Sequence, residues 1–340
     1  MAASRLELTR VQILAFRRRV QALDERLPPG EDSLRIAAWA GLSDSMPRGA
    51  LLSIHARVEG TQPSSWEDPS LVQLWGPRFS AYVVDRRDIA PFSLGRLPDD
   101  GPARRRAVDL AARLEAFLDG RTMPYRAAGH ALGIVPNSLR YAATTGTVLI
   151  RWAGAGAPTI RTVPPPDVTP DEARRELARR YLHVFGPGTV DGFHRWAGIK
   201  APWARAAFAE LEPSLTPTRS PAGDGWILAD DEGAFRAPIG ATAPARLLPS
   251  GDTFYLLQGT ERALLVPDAE RRAELWTPRV WPGAVLVEGE VVGTWRRDAH
   301  AMSVATWRPL TGAERAAVEA EADGLPLPDL QRRIDVRWER

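Results

Sequence analysis

Arginine dominates the chemistry open to this sequence: of its 44 basic residues only Lys200 is a lysine. A guanidinium is planar, permanently charged and forked, which suits bidentate contacts to phosphate. The five histidines, His55, His130, His183, His194 and His300, are scattered without metal-ligand spacing, and the chain has no cysteine. No metal, no other cofactor and no disulfide is therefore expected, and the histidines are read as core or surface residues. No glycine-rich loop leads into a helix as a phosphate cradle requires, which argues against nucleotide hydrolysis. Trp75, Trp152, Trp196, Trp281 and Trp295 have rings that can stack on bases or wedge a duplex, although most are expected to anchor the core. Asp252, in Pro249-Ser250-Gly251-Asp252, fits a hairpin turn.

The formal net charge is only +2, so the sequence pI of about 9.3 does not by itself imply nucleic acid. The distribution says more. Residues 101–180 hold 13 arginines against 7 acids, an excess of +6, which is a footprint suited to phosphates. Any one of these arginines can equally be a solvated helix face. Arg17, Arg18 and Arg19 are expected to give the first helix a basic side, and Arg174, Arg175, Arg179 and Arg180 a later one. Such helices should line their guanidinium groups along one concave surface sized for a double helix.

The elements that would position these groups are clearest in residues 121–163. Met123, Ala127, Ala128, His130, Ala131 and Leu132 are spaced as a short helix that Gly133 ends. Pro136 and Asn137 open a second helix over 138–143. Residues 147–152 and 159–163 then alternate as a β-hairpin turned at 154–158. Helix, turn, helix and hairpin make a winged helix, whose second helix commonly enters the major groove, although the same fold also serves protein contacts alone.

Two weaker copies flank it. Upstream, helical spacing over 8–23, 34–40 and 49–58 precedes a strand at 80–84. Downstream, 171–185, 190–196 and 202–211 read as helices, with a wing at 225–229 and 234–237. Residues 245–307 change to short strands, followed by a helix at 311–323 and a charged tail. The expected class is mainly α with small β units (α+β): tandem winged-helix modules over 1–100, 101–166 and 167–244, a small antiparallel β domain over 245–310, and a helix and tail over 311–340. With no signal-like start and no bilayer-length apolar run, a cytoplasmic monomer without a membrane partner is expected.

Residues 41–58, GLSDSMPRGALLSIHARV, together with 80–98, 139–152, 181–199 and 246–257, resemble the AlkZ-like winged-helix DNA glycosylase family over nearly the whole chain. The resemblance implies tandem winged helices with a small β domain, and excision of alkylated bases or unhooking of interstrand crosslinks. Its implied partner is double-stranded DNA, alkylated or crosslinked. The family motif is Gln, an apolar residue, then Gln or Asp, set just after a glycine and an apolar residue. Ser43, Asp44 and Ser45 hold those positions here.

Cleaving an N-glycosidic bond builds oxocarbenium-like charge on the sugar, which a carboxylate or long amide steadies while aiming a water. Residues two apart share a face only in extended backbone, so Ser43 and Ser45 can point together while Asp44 carries the only charge. The catalytic candidates are accordingly Asp44, assisted by Ser43 and Ser45. Asp252 matches an acidic position of the family's β domain and is an accessory candidate. Asp and Ser ahead of Pro47 equally fit a helix N-cap. Any activity should be monofunctional, because Lys200 is the sole lysine available for a Schiff base. Arg48, Arg57, Arg126, Asn137, Arg140, Arg151 and Arg161 are the residues expected on DNA. The alternative is a non-enzymatic DNA-binding or regulatory protein that kept the scaffold after losing the glutamines.

Overall fold

The computed structural model describes residues 5–46, 48–154, 156–298, 300–327 and 333–339. The middle unit follows the sequence pattern closely. Helix Gly101–Leu118 buries Ala107, Leu110, Ala111, Leu114 and Leu118, a stripe at three- and four-residue spacing. That stripe meets Leu139, Val148, Ile150 and Ile160 in one apolar cluster. Each fully buried leucine there contributes roughly 1.5–3 kcal/mol. Helix Tyr125–Ala131 and the tighter 3-10 helix Pro136–Thr145 follow, then the hairpin Val148–Arg151 and Thr159–Thr162.

The hairpin upstream, Leu71–Trp75 with Ala81–Asp85, is not the free wing of a separate module. LVQLW is buried at every position, and a strand covered on both faces must lie inside a sheet. It joins the second hairpin through the register pair Gln73↔Ile150. The result is a six-stranded sheet with Leu42–Ser43 and Met123–Pro124 at its edges. The boundary expected near residue 100 therefore runs through a continuous sheet.

The third unit has helices Pro170–Phe185, Val190–Ala197 and Ala201–Leu211. Its hairpin is Leu215–Ser220 with Gly223–Leu228, not 225–229 with 234–237, and Glu232–Arg236 is helical. The polar LTPTRS looks like a linker by composition; its order comes from Leu6–Glu7, which pairs with it in parallel at Thr218 and Arg219. Helix Arg10–Val20 follows that strand, and Leu8, Ile13 and Phe16 pack on Ile227 and Phe235. Residues 5–20 thus belong with the third unit and not with the first.

The last unit pairs Ala245–Leu248, Gly283–Val287, Glu290–Asp298 and Ala301–Thr306 antiparallel, with Asp335–Glu339 added in parallel at the edge. Two stretches expected as strands are instead helical, the 3-10 turn Thr253–Tyr255 and the short helix Glu261–Leu265, and helix Ala269–Leu275 follows them. Asp252 and Asp268 start the first and last of these by accepting backbone N–H groups, the capping chemistry that competes with extended structure.

The arginines of helices Arg10–Val20 and Pro170–Phe185 do not form the expected free array. Arg17 donates to the carbonyls of Phe185 and Gly186, Arg18 to Asp24 and Gly289, and Arg19 to the carbonyls of Ala234 and Pro238. On helix Pro170–Phe185, Arg174 pairs with Asp99 and Asp171, Arg175 with Glu210, Arg179 with Glu176, and Arg180 with Asp88 and Glu176. Their forked donors satisfy carbonyls and carboxylates at element ends, and composition cannot tell such clasps from phosphate ligands. Among the described residues, no helix is long and apolar enough to cross a membrane.

Candidate functional site: an aromatic cleft between two hairpins

The motif segment leaves the sheet edge at Ser43 and turns into helix Gly49–His55. Gly49 sits where a Cβ would stand 2.9 Å from the Ser43 carbonyl oxygen, so only glycine permits so tight a return. The three motif residues part company in this turn. Ser43 is buried against the Gly251 turn, whose Cβ would lie 3.3 Å from the Ser43 hydroxyl. Ser45 is exposed and faces a cleft of about 680 Å³. Asp44 is 3% exposed and is not among the residues that line the cleft. Pro47, which bears on the capping expectation, lies outside the described residues.

Asp44 accepts the Ala50 backbone N–H at 3.0 Å with one oxygen and the Gln73 side-chain amide at 2.5 Å with the other. The Gln73 carbonyl oxygen in turn accepts the Trp152 backbone N–H at 2.5 Å. Gln73 is also the residue at which the two hairpins pair, so one amide joins the motif, the sheet junction and the cleft wall. Burial pushes the Asp44 carboxyl up to about 6, against the opposing effect of the Ala50 and Gln73 hydrogen bonds and of the Arg48 and Arg151 charges.

Between the ordinary value of 3.8 and about 6 the folded chain keeps a proton that the unfolded chain has shed. The Asp44 contribution to stability therefore falls as pH rises from about 4 to about 6, by roughly 3 kcal/mol. Urea unfolding across this range should show Asp44→Asn gaining on the parent chain as pH rises. Parallel pH profiles would remove the assignment.

The cleft lies between the hairpins, with Trp75, Phe79, Tyr125 and Trp152 as aromatic walls and Arg126 as its charged residue. The Trp152 ring is held by its N–H to the Gly156 carbonyl at 3.1 Å, and Trp75 meets Tyr125 edge-on at 6.1 Å. No carboxylate and no long amide is among the lining residues. A volume of this order suits a planar group with its sugar; its chemistry is stacking plus one guanidinium, with a single hydroxyl from the motif.

The other expected residues are placed unevenly. Arg48 and Arg151, whose charges act on Asp44, both lie over the Trp66 ring, at 4.9 and 3.9 Å. Arg151 also pairs with Glu67 at 2.7 Å, a surface contact worth no more than about 1 kcal/mol and easily exchanged. Asn137 is exposed, while Arg140 is half-buried beside the Phe79 and Tyr141 rings. Arg161 is half-buried, and burial and neighbouring Arg86 hold its guanidinium below the ordinary range.

Arg57 cannot meet DNA. It is 1% exposed and makes two bonds of 2.7 Å to Asp252, which also accepts the Ser53 hydroxyl at 2.6 Å. Asp252 is thereby a clasp between helix Gly49–His55 and the C-terminal unit, with no open face for accessory chemistry. Gln73 and Phe79 went unselected by sequence reasoning. A glutamine inside the apolar run LVQLW was the available signal for the first; nothing in the sequence marked the second.

The family "DNA glycosylase AlkZ-like" matches residues 36–326. An interstrand DNA cross-link repair glycosylase from Streptomyces sahachiroi is 28% identical over 176 residues, 49% of this chain and 46% of that protein. The chain thus matches about half the length of that curated relative. Among solved structures, Streptomyces sahachiroi DNA glycosylase AlkZ superposes with a TM-score of 0.80 at 19% identity, covering 98% of this chain and 100% of that one. At that identity the likeness is one of fold.

Proposed function

The chain belongs to the AlkZ-like DNA glycosylase family, and from this premise we propose that it binds duplex DNA and captures an extruded alkylated base in the aromatic cleft. We read its helical units with their hairpins as winged helices. Arg126 at the cleft, with Arg48, Arg151, Asn137 and Arg140 around it, meets the phosphates and the groove. The observation that carries the reading is the cleft itself: aromatic walls, a free guanidinium and no acid, at the place where the family motif ends. An extruded base is read by stacking between aromatic side chains.

The same observation limits the chemistry. Ser45 has neither the reach nor the charge to steady an oxocarbenium ion, and the Asp44 carboxylate is occupied by Ala50 and Gln73. Excision is therefore slow and confined to cationic alkylated bases, which leave without a general acid. Duplex DNA containing N7-methylguanine tests both parts. Anisotropy should show binding that weakens steeply with salt, with few alkali-labile breaks above an Asp44→Ala control. Trp152→Ala should lower the preference for the lesion about tenfold, since stacking is worth roughly 1–3 kcal/mol per base; equal preference would sink the capture site.

The raised pKa of Asp44 favours one other reading, in which its carboxylate activates water after a local shift of the turn. Breaks well above the control, with a rate that climbs through pH 6, would establish it.

A further inference from the structure

Behind Phe79 lies a second pocket of about 480 Å³, formed where the first hairpin's tip, helix Gly101–Leu118, the 3-10 helix Pro136–Thr145 and the turn into helix Ala201–Leu211 meet. Phe79 lines this pocket and the base cleft alike, and stands edge-on to Tyr141 at 5.1 Å. The tip carrying it is unusual: Arg78 and Phe79 are consecutive non-glycine residues with φ of 55° and 58°. Strain of this kind persists only where the surroundings over-determine it. The surroundings here are Arg96, which donates to the carbonyls of Trp75 and Ala197, and Gly198, where a Cβ would stand 3.0 Å from the Arg78 backbone nitrogen.

The lining is one-sided in charge. Arg96, Arg106 and Lys200 are its cations, and no acid is among its residues. None of the three has an ion pair among the described residues, in a chain whose arginines are widely committed to carboxylates. Arg96 is 4% exposed and lies 4.7 Å from the Phe79 ring centre; Arg106 lies 4.6 Å from Tyr141, and Lys200 5.2 Å from Trp203. A buried cation with only carbonyls and a ring for company is short of an anion. Burial holds its guanidinium down to about 9, so it remains charged at neutral pH.

The geometry points to a nucleotide-binding pocket here, distinct from the base cleft: Phe79, Tyr141 and Trp203 take an aromatic ring, and Lys200 with Arg106 takes its phosphate over the Arg96 charge. The ligand chemistry, a nucleobase joined to a phosphate, has two sources. It is either a free mononucleotide or an unpaired nucleotide of the DNA strand leaving the neighbouring cleft.

The full chain distinguishes them. 2′-Deoxyguanosine 5′-monophosphate is titrated against tryptophan emission, with deoxyguanosine and inorganic phosphate in parallel. A duplex ending in one unpaired 2-aminopurine is titrated by the emission of that base. The expected result is a saturable response to the mononucleotide at least tenfold tighter than to either fragment, or quenching of the overhanging base. In either arm the response should weaken at least tenfold in the double variant Arg106→Gln/Lys200→Gln and persist in Trp152→Ala. Response to the mononucleotide assigns the free ligand; response to the overhang alone assigns the strand. The proposal is overturned if neither probe responds, if deoxyguanosine binds as tightly as its phosphate, or if the double variant responds like the parent. Loss in Trp152→Ala with retention in the double variant would move the binding to the base cleft and overturn it too. Both substituted side chains are exposed, so circular dichroism of the variant should match the parent.

Discussion

Asp252→Ala is expected to destabilise the protein by about 3–5 kcal/mol, the cost of stranding a buried charge. The carboxylate carries two bonds of 2.7 Å from Arg57 and one of 2.6 Å from Ser53, and accepts the Phe254 backbone N–H at 2.9 Å. Both side chains of the pair are essentially inaccessible, at 1% for Arg57 and 0% for Asp252. Truncating the acid leaves a guanidinium with only the Ser53 carbonyl and Gln21 for company. The loss is to be read from urea or guanidinium unfolding. Replacing both partners, Arg57→Met with Asp252→Leu, should recover most of it, because a buried pair is worth little more than apolar residues of the same volume. A loss under about 1 kcal/mol for Asp252→Ala, against the range for broken buried pairs, would show that the clasp is not what holds helix Gly49–His55 to the C-terminal unit.

The second large effect is a gain. Ser45→Gln should raise the excision of N7-methylguanine at least tenfold. The side chain at this position is exposed and already faces the cleft, so a longer amide enters open space instead of displacing core. One well-placed polar group at a charge-developing centre is typically worth about 10²–10³ in rate, and the lower expectation allows for an amide not held by neighbours. Single-turnover release of the free base is the readout. Ser43→Gln should do less, because Ser43 is buried beside Gly251 and a long side chain there has to push that turn aside. If Ser45→Gln leaves the rate at the parent level while lesion binding holds, the missing amide is not what limits the chemistry.

The sequence was most readable where periodicity and punctuation agree. In residues 121–163 the spacing of Ala128, Leu139, Val148 and Ile160, with Pro136 and Gly133 at the turns, located two helices and a hairpin to within a few residues. Less readable was anything decided between distant segments. The fusion of two hairpins rests on Gln73↔Ile150, and neither residue's neighbours announce the partner. Composition misled for arginine: Arg17, Arg57, Arg174 and Arg180 are all under 4% exposed, though in sequence they resemble solvated or phosphate-binding residues. The candidate site was half legible. Residues 43–45 stand out in the sequence as the motif segment, but whether each side chain faces cleft, helix or C-terminal unit depends on the left-handed Arg48 and the close return at Gly49, which no local pattern encodes.

The parallel pairing of Leu6–Glu7 with Thr218 and Arg219 has a consequence for how the polypeptide is made. Roughly two hundred residues must leave the ribosome before that strand meets its neighbour, while domains otherwise tend to fold in the order of synthesis. Until then Leu6, Leu8, Ile13 and Phe16 wait without their apolar partners, a natural client surface for a holding chaperone. A bulky fusion placed directly ahead of this strand should therefore loosen a region more than two hundred positions downstream, and limited proteolysis would register the loosening as new cuts around residues 215–228 long before the intervening sheet gives way.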